Sequence, residues 1–146
     1  MISKSLKDFI IYANNGEFEK LFKQNVLTLG TGEGDNFHLC SVYFAYFDGG
    51  FVFLSSKNSE HIKNYTTKAF ANIFYDDKNI LKICGLQVKG YIINSNDIEK
   101  DEYFKKFPFA NLGKNFINNF EGDFYTFKIT YAKYTNNLKF KKIIFQ

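Results

Sequence analysis

The 146-residue sequence has no tryptophan, a single proline, one methionine and only two cysteines. Cys40 and Cys84 have no further cysteine or histidine at zinc-ligand spacing, so we expect two buried, reduced thiols and neither a disulfide nor a metal site. No apolar run approaches the about 18 residues of a membrane helix, and the first residues lack the apolar segment of a secretory signal. We therefore expect a cytoplasmic protein with no membrane partner.

Several enzyme signatures are also missing. The sequence contains no GxSxG nucleophile motif and no HExxH metal motif, and "TGEG" fits neither a P-loop nor a dinucleotide fingerprint. The catalytic residues therefore stay undefined. The net charge of +4, from 19 basic and 15 acidic residues, is a mild surplus. Its densest part, "LKFKKIIF", is typical of a strand with a solvated lysine face, so we expect no nucleic-acid partner.

Aromatic residues are abundant, with 19 Phe and 10 Tyr, and 45% of the chain is apolar. A chain of this length fits one domain, 1–146, with an aromatic-rich core. Leu6, Phe9, Ile10 and Ala13 recur at helical spacing. After a second short helix around Leu21, three β-rich runs separated by glycine-rich turns predict a meander: "NVLTLGTG", "NFHLCSVYFAYF" and "FVFLSS".

The middle strand of this meander is apolar on both faces, so core, ligand or a partner must cover both. A helix at Ile62, Tyr65, Thr66 and Ala69 follows. The strands "FANIFY" and "GLQVKGYII" come next, the second with Leu86, Val88 and Gly90 inward and Gln87, Lys89 and Tyr91 outward.

A helix from Asp97 ends at Pro108, and "NLGKNFINNF" predicts a short helical excursion. The next strand places Tyr125, Phe127, Ile129 and Tyr131 on one face before a closing strand. The expected fold is mainly β (α+β), a six- to seven-stranded antiparallel split β-barrel with flanking helices, because closure removes the edges of such a sheet.

The start of the helix near Ser59, in "FVFLSSKNSEHIKNY", is open to two interpretations. Its free N–H groups and partial positive charge suit an anion, with His61 as a ligand. Alternatively, Ser59 only caps the first turn, and Glu60 complements the helix dipole. From spacing alone the cap is favoured.

Three segments follow the first helix in this order: "VLTLGTGEGDNFHLCSVYFAYFDGGFVFLSSKNSEHIKNY", "FANIFYDD" and "GLQVKGYI". This order of segments resembles that of the pyridoxamine 5'-phosphate oxidase-like FMN-binding split barrels. Through "YFKKFPFANL" and "LKFKKIIF" the chain also resembles their short, uncharacterised YhbP-like branch. The resemblance implies a homodimer with FMN at the interface, acting on an unknown small-molecule substrate, and it favours phosphate binding over a bare cap at Ser59. It assigns main-chain, ring and phosphate contacts to Ser41, Val42, Leu54, Ser55, Ser59, His61 and Gln87.

Glu60 departs from the family pattern, since the resemblance implies Arg or Lys there. An acid removes one charge-assisted hydrogen bond to phosphate and adds repulsion. This motivates an alternative, a non-catalytic flavin-binding or cofactor-free dimeric module of the same fold. A third hypothesis is a haem-binding relative, which would need His38 or His61 as the axial ligand.

Overall fold

The structure, a computed structural model, describes residues 1–59, 62, 68–108 and 122–146. The described helices are α1 (Leu6–Asn14), α2 (Glu19–Phe22) and α3 (Asp97–Lys106). The strands are β1 (Ile2–Lys4), β2 (Val26–Thr31), β3 (His38–Phe47), β4 (Gly50–Ser56), β5 (Ala69–Tyr75), β6 (Cys84–Asn94), β7 (Gly122–Asn136) and β8 (Lys141–Phe145). None of the helices in these ranges is long and apolar enough to span a membrane.

Six strands close into an antiparallel barrel. Their order is β7-β4-β3-β2-β5-β6, and β6 returns to pair with β7 along its length. This confirms the predicted split-barrel class. Strand β8 extends the sheet from the end of β7, and β1 adds to β8 in parallel. The sequence did not predict β1, because a three-residue strand that pairs with the far end of the chain has no local signature.

Local chemistry explains how the first helix begins. The amide of Asp8 donates to the Ser5 hydroxyl at 3.1 Å, and the Ser5 amide donates to the Asp8 carboxylate at 3.2 Å. This reciprocal capping box satisfies two amides that the first turn leaves without helical partners. The helix then lays Phe9 on Phe18 and Phe145, with ring centroids 4.9 and 5.3 Å apart, and so closes one end of the aromatic core.

A second, smaller apolar cluster lies outside the barrel, between α3 and the strands β3 and β4. Its buried members are Ala45, Val52, Tyr103 and Phe124, with Phe47, Leu54, Phe104 and Phe107 around them. Glu99 of α3 is almost fully buried beside it and forms a 2.8 Å ion pair with Lys128 of β7. The predicted helix from Asp97 is therefore confirmed, and it covers one side of the meander.

Two sequence predictions are corrected by the strands. Tyr131 was predicted to share a face with Ile129, but β7 pairs Ile129 with Gly90 and Tyr131 with Lys89, so Thr130 is an extra residue at a β-bulge. The bulge turns Tyr131 to the outside of the barrel. Ala69 was predicted to lie on a helix but begins β5. Most of that helix, and the whole excursion predicted at 111–120, lie outside the described residues.

Candidate functional site

The outside of the barrel across β3, β2, β5 and β6 carries the candidate site, which we call the outer face. Strand alternation sends Leu27, Leu29 and Ile73 into the core and leaves the intervening side chains outside. Large apolar side chains remain exposed there, including Leu39 at 69%, Tyr43 at 57% and Phe74 at 51%. A monomer gains nothing by exposing such a surface, so the outer face has the character of a binding surface.

A row of polar side chains crosses this apolar surface. The register pairs Ser41 with Thr28, Thr28 with Asn72, Asn72 with Gln87, and Gln87 with Lys133. Directly opposed residues in a sheet point to the same side, so these five residues, which we call the polar row, line up across five strands. Ser41 and Gln87 are three strand spacings apart, about 14 Å.

The neighbouring row is largely apolar and forms the wall of a depression. Leu39, Gly30, Phe70, Lys89 and Tyr131 follow one another in register. A Cβ atom at Gly30 would lie 2.8 Å from the Phe37 ring, so glycine allows this ring to lie against the strand. The depression has a volume of about 410 Å³ and is lined by members of both rows. Its size falls within the range of small-molecule sites.

The charge of the depression is positive. Lys89 and Lys133 line it, and none of the described lining residues carries a carboxylate. Lys89 stacks over the Tyr131 ring, 4.7 Å from its centroid. Within the described ranges neither ammonium group forms an ion pair with a carboxylate. The polar row therefore offers hydroxyl groups, carboxamides and positive charge at the edge of an apolar wall.

The first part of β3, which has a described neighbouring strand on one edge only, borders the outer face. Strand β4 pairs with β3 only at Phe44–Phe47, while Leu54 to Ser56 of β4 pair with β7. Among the described residues, 38–43 are thus paired on one edge only, with β2. The Phe44 amide donates to the Asn25 carbonyl beside β2, so by alternation the Val42 amide also points to β2 and the Ser41 amide points to the open edge.

The residues assigned by the resemblance fall into separate places. Ser41 and Gln87 share the outer face, and Ser41 also presents its amide at the open edge. The Val42 side chain is buried in the barrel. Leu54 belongs to the cluster under α3. His61 and Glu60 lie outside the described residues.

Ser55 and Ser59 meet at the end of β4. Their hydroxyl oxygens are 2.9 Å apart, and Ser59 donates to the Ser56 carbonyl at 2.7 Å. The Ser59 proton is therefore used within the turn, which leaves Ser55 as the donor between the two hydroxyls. A phosphate contact by Ser59 stays a prediction, and it would require this hydroxyl to rotate away from Ser56.

Lys106 anchors α3 at the Tyr43 end of the outer face. Its ammonium group donates to the carbonyls of Phe22, Gln24 and Phe44, and lies 4.0 Å from the centroid of the Phe44 ring. Burial lowers the pKa of Lys106 to about 8. The next residue, Phe107, packs edge-on against Tyr43, with centroids 5.7 Å apart. Lys106 thus positions one apolar border of the site.

Sequence reasoning missed Thr28, Asn72, Lys89 and Lys133 as parts of one site. Alternation in "VLTLGT" and "FANIFY" predicts that Thr28 and Asn72 point outward, but the pattern does not say which residues lie opposite each other. Lys133 was harder to place, because the bulge at Thr130 shifts the alternation of β7. Only the register brings these residues beside Gln87.

No protein-family model and no curated protein matches the sequence. Solved structures do match its fold. The structure of a haem-binding protein from Mycobacterium smegmatis has 16% identity and a TM-score of 0.69, and the match covers 88% of this chain and 56% of that one. Campylobacter jejuni ChuZ has 15% identity and a TM-score of 0.65, with 89% and 57% covered. This chain spans little more than half the length of these two proteins.

A third match covers almost the full length of the matched protein. A putative pyridoxamine 5'-phosphate oxidase from Listeria innocua has 16% identity and a TM-score of 0.59, over 85% of this chain and 98% of that one. The chain has the split-barrel fold. A FAD-binding protein from Mesorhizobium loti, with 13% identity, a TM-score of 0.59 and 78% and 87% covered, shares it. The neighbours of this split barrel thus include proteins described as flavin-binding and haem-binding.

Proposed function

We propose that this split barrel binds FMN on the outer face, between two copies of the chain, and serves as an oxidoreductase for an unidentified small molecule. The observation that carries the proposal is the polar row inside an exposed apolar surface. Two structural neighbours described as a FAD-binding protein and a putative oxidase support a flavin as the ligand.

The side chains of the outer face fit a flavin. The ring system has an apolar end and a polar edge with both hydrogen-bond donors and acceptors, and the carboxamides of Asn72 and Gln87 supply both kinds of group. Leu39 and Phe70 would contact the apolar part. When bound, the flavin supplies hydride-transfer chemistry through its ring, and the protein supplies orientation and charge. Lys89 and Lys133 would place positive charge beside the polar edge.

The apolar part of the outer face also supports the dimer. Leu39, Tyr43 and Phe74 are each more than half exposed in one chain. A second copy that covers them would remove this surface from water, at about 25 cal/mol for each Å² buried. The flavin phosphate would lie at the end of β4, near Ser55, Ser59 and the exposed Lys57, with His61 as a further ligand.

A flavin suits the described residues better than haem does. Haem iron requires an axial ligand such as histidine or a thiolate. The described residues that line the depression include no histidine, cysteine or methionine, and the ring of their one tyrosine, Tyr131, is covered by Lys89, 4.7 Å from its centroid. His38 pairs with Thr31, whose side chain is buried, so His38 is on the core side of β3.

Titration with FMN tests the proposal. We expect saturable binding with one flavin per chain, and we expect Asn72→Ala and Gln87→Ala to weaken it about five- to thirtyfold each, since each removes one or two hydrogen bonds of about 1 kcal/mol. Asn14→Ala, which removes an exposed carboxamide from α1, is the matched control. Equal affinity in all four proteins would overturn the proposed site.

A second experiment separates an enzyme from a carrier. Anaerobic mixing of the FMN-loaded protein with NADH or NADPH should bleach the flavin band, and addition of an electron acceptor should restore it. Tight flavin binding without reduction by any donor would instead favour the non-catalytic module.

A further inference from the structure

We propose that a groove at the β7–β8 hairpin binds a small amphipathic organic anion, with the anionic head at Lys142 and the hydrocarbon body beside Phe140. The groove lies between this hairpin and the loop that contains the short 3-10 turn Ile80–Lys82. It has a volume of about 580 Å³. This volume is within the usual range of small-molecule sites, and the assignment does not depend on flavin binding.

The walls of the groove are apolar and unusually exposed. Phe140 is 91% exposed and Ile80 70%, and Leu81 and Ile2 also line the groove. Single exposed apolar residues are common, but four of them around one concavity form a surface for a hydrocarbon. The outer face uses none of these four residues.

The backbone at Phe140 adds a second observation. Its φ is +52°, in the left-handed region, which is an outlier for a bulky side chain. Asp48, the other described non-glycine residue with positive φ, is in the Asp-Gly turn between β3 and β4, where this conformation is ordinary. Glycine or asparagine would fit the hairpin with less strain. A strained residue that holds an aromatic ring almost fully in solvent points to a role for the ring.

The two walls are already held at a fixed distance. The Asn137 amide donates to the Ile83 carbonyl at 3.1 Å, and the Asn137 carboxamide donates to the Ile80 carbonyl at 3.3 Å. These bonds join the hairpin to the loop, and Asn137 and Ile80 both line the groove. A ligand would therefore enter a largely formed site and would lose little affinity to ordering of the protein.

The charge around the groove selects the head group. Lys141 and Lys142 line it, and no acidic residue does in the part of the chain that the structure describes. Lys141 lies 3.7 Å from the Glu17 carboxylate, so part of its charge is compensated. Lys142 is exposed and has no ion pair among the described residues. An organic carboxylate or sulfonate would supply the missing counter-charge, whereas a cationic or neutral head group would not.

Calorimetric titration with decanoate, decylammonium and decanol tests this assignment. These probes share one chain length and differ in charge. We expect decanoate to bind with one molecule per chain and the other two to bind at least several-fold more weakly. Phe140→Asn should weaken decanoate binding about tenfold, because it removes the apolar wall. Lys142→Gln should weaken it about threefold, with Lys7→Gln on α1 as the matched control.

Phe140 and Lys142 are both exposed, so the two groove variants should fold like the wild type. Asparagine tolerates positive φ, so Phe140→Asn should be at least as stable as the wild type. Phe140→Asn should keep the FMN affinity of the wild type, because Phe140 lines neither of the two cavities that Asn72 and Gln87 line, and this makes failure here distinguishable from failure of the proposed flavin site. Equal binding of decanoate and decylammonium, or unchanged affinity in both groove variants, would overturn the proposal. Binding of the protein to anionic phospholipid vesicles but not to free decanoate would also overturn the proposal. The same holds if Phe140→Asn converts a dimer to monomers, because the groove would then be a dimer contact.

Discussion

The ion pair between Glu99 and Lys128 provides a quantitative test of how α3 is attached. The two partners differ in exposure, since the Glu99 side chain is 2% exposed and the Lys128 side chain 30%. Lys128→Met leaves a buried carboxylate with the Asn96 amide, 2.9 Å away, as its main remaining donor. Breaking a buried pair in this way costs about 3 kcal/mol. For a chain of this length, that lowers Tm by about 10 °C.

Glu99→Gln should cost much less. The glutamine oxygen still accepts from the Asn96 amide, so the helix cap survives, and the Lys128 ammonium group can be hydrated. The expected loss is about 1 kcal/mol, or about 3 °C in Tm. Thermal unfolding followed by circular dichroism measures both. A loss for Glu99→Gln equal to or greater than that for Lys128→Met would refute the reasoning, because the lysine would then be the costlier group to leave unpaired.

The pH dependence gives the same test a second readout. Burial tends to raise the pKa of Glu99, but the Asn96 amide and the Lys128 ammonium outweigh it and lower the pKa below the ordinary value of 4.5. The contribution of the pair is therefore complete above pH 4.5 and is lost as the pH falls through the lower folded-state pKa. The stability difference between wild type and Glu99→Gln should shrink over that range.

Two further stability predictions follow from the fold. The Lys106 pKa of about 8 is below its ordinary value of 10.5, so between pH 8 and pH 10.5 the unfolded chain binds more protons than the folded chain. The wild type should therefore gain stability relative to Lys106→Met as the pH rises through this range. Urea unfolding at several pH values measures this difference, and a constant difference would contradict it. Gly90→Ala should destabilise the chain by roughly 3 kcal/mol, because its Cβ would collide with the Lys128 carbonyl at the bulge. Gly85→Ala on the same strand is the control: the nearest atom to its new Cβ would be 3.6 Å away, so this variant should cost under about 1 kcal/mol. Similar losses of stability in both variants would show that the bulge does not demand glycine.

The alternation of apolar and polar residues predicted much of the barrel. In β6 the residues Leu86 and Val88 point inward and Gln87 outward, as the sequence indicated, because one face of the strand must join the core. The same reasoning gave the wrong side for Tyr131, since one extra residue at Thr130 reverses the alternation and nothing in the local pattern marks it.

The candidate site was harder to predict than the fold. Ser41 and Gln87 were assigned through a resemblance, and the structure places both on the outer face. The rest of the polar row depends on register, which is fixed by contacts between strands far apart in sequence. Asn72 meets Thr28 on one side and Gln87 on the other only after the barrel closes. The groove beside Phe140 likewise joins residues about 60 positions apart.

The central claim is that two copies of the chain hold a flavin between their outer faces. Sedimentation velocity of the FMN-loaded protein, recorded in the visible band of the flavin, tests it directly. The account predicts that the flavin signal sediments with a particle of twice 17.1 kDa, and that Gln87→Ala lowers the amount of flavin in that particle. A flavin signal that sediments with the single chain, or stays with the free small molecule, would contradict it.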